Sequence, residues 1–440
     1  MSHNEVLIIN GGNRLEGTVE ISGAKNAALP LLAASLLSEH ELILKNVPNL
    51  SDISSFKNIL KKLGVILEEN ETLLSLNANC INDTTIDFDE VKKMRASILF
   101  LGPLLTRFGK VTLSLPGGCK IGKRPIDQHI KALRLMGAEI ELSNHSVYAK
   151  AINGKLKGAD VKFDMPTVTG TENIILAAIL AQGVTSISGA ACEPEISDLC
   201  KCLNQMGAKI SGFGTPFIQI KGVEKLKPTE YCVIPDRIET GTFLMLAAAT
   251  NSPMIITNTN PNLLKTELKH LKKMGAVFKI NKSSIEHIKH QEKLIAKDFK
   301  TSPYPGFATD LQAQAMVTNL ISQGKSEIIE TIFDNRFHHV KSLIEMGAEI
   351  NLDENKAKLD GGAKLNGFEM YATDLRASAS LVIAALIAKG QSIIHNIHYL
   401  DRGYSNFDEK LRLLGADISR ILKAPLPKEE TFATNTLYAS

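Results

Sequence analysis

The sequence contains no tryptophan, and aromatic residues fill only 5% of its 440 positions. A binding surface built mainly from stacked rings, the usual platform for single-stranded nucleic acid, is therefore not expected. Charge of one sign is also missing. Lys and Arg number 50 against 47 Asp and Glu, a formal charge of +3, and the basic residues form no stripe. A nucleic-acid partner is excluded on that ground, and any anion site must be local. Long apolar runs are absent too. Leu381 to Ala388 is among the longest, well short of the ~20 residues a membrane helix needs. The opening Met-Ser-His-Asn-Glu lacks the basic-then-apolar pattern of a secretion signal, so a cytoplasmic location is expected. Six cysteines (Cys80, Cys119, Cys192, Cys200, Cys202 and Cys232) sit at no zinc-type spacing and read as reduced thiols. His338-His339 and His395-x-x-His398 read as surface or packed residues, and no metal motif is present. With 31 Gly and 16 Pro, the chain is neither collagen-like nor low-complexity.

What is present is a repeat. One short signature occurs six times: Lys62-Leu63-Gly64-Val65, Leu135-Met136-Gly137-Ala138, Gln205-Met206-Gly207-Ala208, Lys273-Met274-Gly275-Ala276, Glu345-Met346-Gly347-Ala348 and Leu413-Leu414-Gly415-Ala416. Successive glycines are 73, 70, 68, 72 and 68 positions apart, so units of about 70 residues fill the chain. Each signature closes an amphipathic helix. From Ile126 to Met136, apolar residues fall at 126, 130, 133 and 136, a helical period. Gly137 then suits a left-handed cap, and Glu139-Ile140-Glu141-Leu142 reads as a strand.

Between signatures lies an Ala-rich helix with a polar start: Gly23-Ala24-Lys25-Asn26, Met94-Arg95-Ala96-Ser97, Gly170-Thr171-Glu172-Asn173, Ile238-Glu239-Thr240-Gly241, Thr309-Asp310-Leu311-Gln312 and Thr373-Asp374-Leu375-Arg376. Alternating strands and helices predict an α/β fold, α+β by some schemes. Three units make a domain of ordinary size, so two domains of three units are expected. The turn from Gly11 to Gly17 matches the one from Gly361 to Gly367. That match suggests that the leading strand joins the C-terminal half. Residues 423–440 have Pro and charge without periodicity and read as a flexible tail.

The densest chemical candidate is the stretch from Leu115 to Asp127, between a strand ending at Ser114 and the helix at 126. Gly117, Gly118 and Gly122 permit tight backbone geometry. Lys120, Lys123 and Arg124 lie within five residues of Cys119, which favours the thiolate and local anion binding. Two readings fit: a flexible loop carrying a reactive thiol over an anionic ligand, or a turn with an incidental cysteine. Gly117-x4-Gly122-Lys123 is a near miss for a phosphate-binding P-loop, because Arg124 replaces the Ser or Thr that would hold Mg²⁺.

The six polar helix starts form a second constellation. Helix N-termini attract anions, and Lys25, Arg95, Arg376 and, from the adjoining loops, Arg124, Arg336 and Arg402 would add full charges. Asp310 and Asp374 occupy equivalent starts. Each fits a general base or a structural N-cap.

Several ordered motifs resemble one family. They are Ile21-Ser22-Gly23-Ala24-Lys25-Asn26-Ala27-Ala28-Leu29-Pro30, Met94-Arg95-Ala96-Ser97, Pro116-Gly117-Gly118-Cys119-x-Ile121-Gly122-x-Arg124-Pro125, Thr309-Asp310-Leu311-Gln312-Ala313-Gln314 and Asp401-Arg402-Gly403-Tyr404. Together they look like the UDP-N-acetylglucosamine 1-carboxyvinyltransferase family of enolpyruvyl transferases, from about residue 5 to 422. The resemblance implies two inside-out α/β domains, each of three units, with the active site between them. The domains would be 25–234 and 1–24 plus 235–422.

The implied reaction moves the enolpyruvyl group of phosphoenolpyruvate to the 3′-hydroxyl of UDP-N-acetylglucosamine and releases phosphate, at the start of peptidoglycan precursor synthesis. By resemblance, Cys119 is the acid and forms an adduct with phosphoenolpyruvate, and Asp310 is the base at the sugar hydroxyl. Lys25, Arg124 and Arg402 hold phosphoenolpyruvate. Asn26, Arg95, Pro125, Ile126, Asp127, Gln128 and Ile332 surround the UDP-sugar, and Arg336 and Arg376 are further active-site cations. No metal or organic cofactor and no obligate protein partner is implied. The antibiotic fosfomycin targets the family's thiol, so Cys119 is expected to be inactivated covalently.

The chain departs from the family in one segment. Pro166-Thr167-Val168-Thr169-Gly170-Thr171-Glu172-Asn173 stands where Ser-Val-Gly-Ala-Thr-Glu-Asn is usual, Thr169 replaces a Gly, and Met165 lies near where some members carry Lys. Two other readings compete: the sister activity on shikimate 3-phosphate, and a silent paralogue that binds a UDP-sugar. The Pro-Gly-Gly-Cys loop argues against the first. Retention of Cys119, Lys25, Asp310 and Arg402 argues against the second.

Overall fold

The computed structural model describes residues 5–70, 72–87, 91, 94–114, 126–143 and 146–422. The Cys119 loop, including Arg124 and Pro125, and the tail from 423 lie outside the described residues.

The Ala-rich segments form helices that are buried almost all round. In Val168–Ala178, every residue from Gly170 onward is buried. In Arg237–Thr250, burial is unbroken from Ile238 to Ala248, and in Leu375–Ile387 from Arg376 to Leu386. A helix without a polar face has to sit inside a protein. Small residues set the packing distance: a Cβ at Gly102 would overlap the backbone oxygen of Asn173 on the neighbouring helix. Outer helices are amphipathic instead. Ser51–Lys62 buries Ile53, Phe56, Ile59 and Leu60, one stripe of a 3.6 period.

Strands surround these helices in six four-stranded sheets. Each has one parallel pair at an edge and two antiparallel pairs. One face of many strands is buried, as in Ser146–Ala151, whose side chains alternate between exposed or half-buried and buried. The fold is α/β, with helices inside and sheets outside. Gly64, Gly137, Gly207, Gly275, Gly347 and Gly415 all have φ between 88° and 110°. Only glycine adopts that region without strain, which explains its recurrence where the chain leaves an outer helix for a strand.

Two separate hydrophobic clusters result. One runs from Ala24 to Val233; the other combines Leu7 to Ile21 with Ile238 to Ile418. The leading strand, Glu5–Asn10, inserts antiparallel between Gln391–His395 and Asp417–Leu422. Gly17–Glu20 pairs in parallel with Met254–Thr257. The chain passes between clusters twice, and the two passages lie side by side. Gly23 bridges Pro235, the Ala24 N–H donates to the Ile234 carbonyl at 2.8 Å, and the Asp236 N–H donates to the Ser22 carbonyl at 2.9 Å. A Cβ on Gly23 would overlap the Asn46 carbonyl, so this seam requires glycine. Among the described residues, no helix is long and apolar enough to cross a membrane.

Candidate active site

The seam delivers Lys25 to the junction of the clusters. Lys25 is the first residue of its helix and is buried. Its backbone N–H donates at 3.4 Å to Asp236, which caps the helix Arg237–Thr250 across the seam through the Ile238 and Glu239 N–H groups. The Lys25 ammonium reaches Asp52 at 3.2 Å, and Arg402 donates to the other Asp52 oxygen at 2.9 Å. Burial pushes the Lys25 ammonium below its ordinary range against the pull of Asp52, with Arg376 and Arg402 pushing the same way.

Asp310 is held by two guanidiniums. Arg336 donates to one oxygen at 2.6 Å and Arg376 to the other at 2.7 Å. Burial alone would raise this carboxyl, but Arg376 and Arg336 outweigh it, with Lys25 adding to them, and hold it well below the carboxylate range. The side chain of Asp310 is 26% accessible, against 4% for Arg336 and 7% for Arg376. Asp310 is therefore the member of this trio that a ligand can reach. Arg376 is fixed from behind, its guanidinium 5.6 Å from the centre of the buried Tyr404 ring. The Tyr404 hydroxyl is hydrogen-bonded to Thr242 and Gln314, both at 3.0 Å.

The two aspartates that look equivalent in sequence differ here. Asp374 accepts from the Arg376 and Ala377 N–H groups at 2.8 and 3.0 Å and is the N-cap of Leu375–Ile387. Asp310 caps nothing. It sits in a 3-10 turn, Thr309–Leu311, ahead of the helix Gln312–Ile321. The start at Arg95 is likewise a 3-10 segment, Arg95–Phe100. Gly170 to Asn173 do not start their helix but lie inside Val168–Ala178, which Thr167 caps by accepting from the Gly170 N–H at 3.3 Å. Burial explains the displacement: Thr171, Glu172 and Asn173 face the core.

The other candidates are distributed as follows. Asn26 follows Lys25 on the seam helix and is half-buried. Ile126 and Asp127 sit at the start of Asp127–Leu135, half-buried and exposed respectively. Gln128 braces the segment that departs from the family pattern. Its side-chain oxygen accepts from the Asp164 N–H at 2.8 Å, and its amide donates to the Met165 carbonyl at 3.3 Å. Arg95 is close enough to His129 to reinforce the effect of burial, which brings that imidazole down to about 4. Ile332 is half-buried on the loop that carries Arg336.

Three residues in this network are not among the candidates named from the sequence. Asp52 is one, Asp236 another. The third is Glu330, a buried carboxylate with four donors: Thr301 Oγ1 at 2.9 Å, Thr309 Oγ1 at 2.9 Å, and the N–H groups of Ile332 and Phe333 at 2.8 and 3.2 Å. It ties the turn that bears Asp310 to the loop that bears Ile332 and Arg336. Asp236 was readable as a cap just ahead of Ile238-Glu239. Asp52 and Glu330 gave no local signal. Among the described residues, no group of three or more His, Cys, Asp or Glu is arranged to hold a metal ion.

Comparison with known proteins shows the family and the fold. The family model for EPSP synthase (3-phosphoshikimate 1-carboxyvinyltransferase) matches residues 9–411. A UDP-N-acetylglucosamine 1-carboxyvinyltransferase from Desulfosudis oleivorans is 50% identical over 415 residues, covering 94% of this chain and 99% of its own. One from Campylobacter hominis is 51% identical over 419 residues, with the same coverage. Among solved structures, the enolpyruvyl transferase NikO from Streptomyces tendae superposes with a TM-score of 0.86 at 23% identity, covering 96% of this chain and 99% of that one. EPSP synthase from Acinetobacter baumannii gives 0.74 at 19% identity, covering 95% and 99%. The structural likenesses speak to the fold; the sequence relatives, at about half identity over nearly the whole chain, speak to the family. The chain belongs to the enolpyruvyl transferases of the EPSP synthase family, in the branch of the UDP-N-acetylglucosamine 1-carboxyvinyltransferases.

Proposed function

We infer that the chain transfers the enolpyruvyl group of phosphoenolpyruvate to the 3′-hydroxyl of UDP-N-acetylglucosamine, releasing phosphate and so beginning peptidoglycan precursor synthesis. The observation that carries this reading is the meeting of Lys25, Asp310, Arg336, Arg376 and Arg402 at the junction of two hydrophobic clusters. Both substrates are anions, and a junction rich in cations suits them.

In the proposed reaction a proton is added to the methylene carbon of phosphoenolpyruvate, and the neighbouring carbon becomes electrophilic. The sugar oxygen bonds to that carbon and its proton leaves. Reversal of the proton addition and departure of phosphate then restore the double bond. The resemblance gives Cys119 the part of the acid, on a loop outside the described residues. Lys25, Arg124 and Arg402 bind phosphoenolpyruvate and stabilise charge on the departing phosphate. Asn26, Arg95, Pro125, Ile126, Asp127, Gln128 and Ile332 are assigned to the UDP-sugar.

Asp310 is assigned as the base, and its electrostatics set a condition. With both oxygens on guanidiniums it is a poor proton acceptor. An anionic substrate that draws Arg336 or Arg376 away restores its basicity, so base strength rises only when the site is filled. The domains proposed are 25–234 and the residues up to 24 plus 235–422, with the Gly23–Pro235 seam as the hinge. A cytoplasmic location is proposed from the substrates. Phosphate release with phosphoenolpyruvate and UDP-N-acetylglucosamine, compared with shikimate 3-phosphate as acceptor, tests the assignment.

A further inference from the structure

Two described ion pairs join the two hydrophobic clusters: Glu195 with Arg237 at 2.9 Å, and Asp52 with Arg402 at 2.9 Å. The first lies beside the seam, one residue past the Asp236 cap. The second lies among the cations assigned to phosphoenolpyruvate. Asp52 is in the first turn of Ser51–Lys62, where an acid favours the helix dipole. Its carboxylate is spent elsewhere: one oxygen is on Lys25 of its own cluster and the other on Arg402 of the opposite one. Side-chain accessibility is 13% for Asp52, 11% for Lys25 and 36% for Arg402, so the pairing is largely shielded from water but open on the Arg402 side.

A carboxylate held between these two cations occupies the contacts that an incoming carboxylate or phosphate would take. We propose that Asp52 is a positioning residue that stands in for the substrate's anionic group: it keeps Lys25 and Arg402 aligned across the junction of the two clusters and yields Arg402 when the anion binds. The exchange replaces one ion pair by another, so the cations are never left bare, and selectivity is gained over anions too weak to displace Asp52. Lys25 and Arg402 together hold the Asp52 carboxyl ionised against the cost of its burial. This inference rests on the assignment of Lys25 and Arg402 to phosphoenolpyruvate, but its test is separable from it.

The test uses the full chain, with inorganic phosphate as the probe. Phosphate binding is measured by calorimetry, and as competition against phosphoenolpyruvate in the turnover assay. In Asp52→Asn, phosphate affinity is expected to rise roughly fivefold at low salt, because a competing charge is gone. Turnover is expected to fall by about tenfold, because the cations lose their alignment. Asp52→Glu keeps the charge and should bring phosphate affinity back toward that of the wild type. A merely structural role lowers turnover and thermal stability without tightening phosphate binding. Unchanged or weaker phosphate binding in Asp52→Asn, or binding as tight in Asp52→Glu as in Asp52→Asn, overturns the proposal. Absence of turnover in the wild type would count against the assigned reaction, while the calorimetric comparison would still decide the role of Asp52.

Discussion

Asp310 and Arg376 are separated by 66 positions in the chain and meet at 2.7 Å, the guanidinium donating to one carboxylate oxygen while Arg336 takes the other. The contact holds the Asp310 carboxyl well below the usual carboxylate range and makes it a weak base until a ligand intervenes. Substitution of this carboxylate is therefore informative at several pH values.

Asp310→Asn is expected to lower turnover by roughly 10²–10⁴-fold, the usual contribution of a positioned acid or base. In the unliganded chain its carboxyl titrates far below the working range, so the loss in kcat/KM, which reports the free enzyme, should be equal at pH 5.5 and pH 8. A loss that shrinks toward acid would mean that Asp310 takes up a proton within that interval, contrary to its pairing with Arg376 and Arg336. Phosphate release measured across the range decides this.

Glu330→Gln places an amide where four donors converge. The three donors on Oε1 keep a neutral oxygen as acceptor, while the Thr309 hydroxyl, alone on the other oxygen, must turn and accept from the amide NH2, so the charge-assisted bonds are lost at a cost of about 1–3 kcal/mol. Expected effects are a drop in kcat/KM for UDP-N-acetylglucosamine of about tenfold and a smaller change for phosphoenolpyruvate, since the loop of Ile332 and Arg336 and the turn of Asp310 shift together. Equal effects on both substrates would place Glu330 outside sugar binding.

Asp374→Ala removes the cap of Leu375–Ile387 and should cost about 0.5–2 kcal/mol in urea unfolding, with Asp374→Asn costing less. A stability unchanged by both substitutions would contradict the capping role that the Arg376 and Ala377 N–H contacts assign.

Buried imidazoles set a pH dependence of stability. Burial lowers His129, His270 and His339 from 6.5 to about 4. The unfolded chain takes up these protons first, near pH 6.5, and the folded chain only near pH 4. Stability is thus full above pH 6.5 and falls as pH drops toward 4, by up to about 1.4 kcal/mol per pH unit for each histidine. Thermal melts at pH 7 and pH 5 should show the fall, and His129→Gln should reduce its slope. A midpoint independent of pH would contradict neutral burial.

Part of the candidate site was legible because its cations sit in local motifs, at helix starts for Lys25 and Arg376 and at the end of a 3-10 segment for Arg402. Lys25, Arg376 and Arg402 could be named from four or five neighbouring residues, and the glycines after the outer helices from their recurrence at similar spacing. Asp52, Glu330 and the Glu195–Arg237 pair could not, because their meaning lies in partners up to 350 positions away. Asp310 and Asp374 have the same local sequence context and separate only in three dimensions, where one meets two arginines and the other two backbone N–H groups. The start at 170–173 was misplaced by two residues because polar residues were read as a helix end, whereas they point into the core between helices, as Asn173 does in accepting from the Gly102 N–H at 2.7 Å.

The most direct measurement is phosphate release by the purified chain with phosphoenolpyruvate and UDP-N-acetylglucosamine, before and after exposure to fosfomycin. The account predicts release that requires the UDP-sugar, and complete loss after fosfomycin, with one adduct on Cys119 by mass. Release with shikimate 3-phosphate alone as acceptor, or full activity with an unmodified Cys119 after exposure, would contradict it.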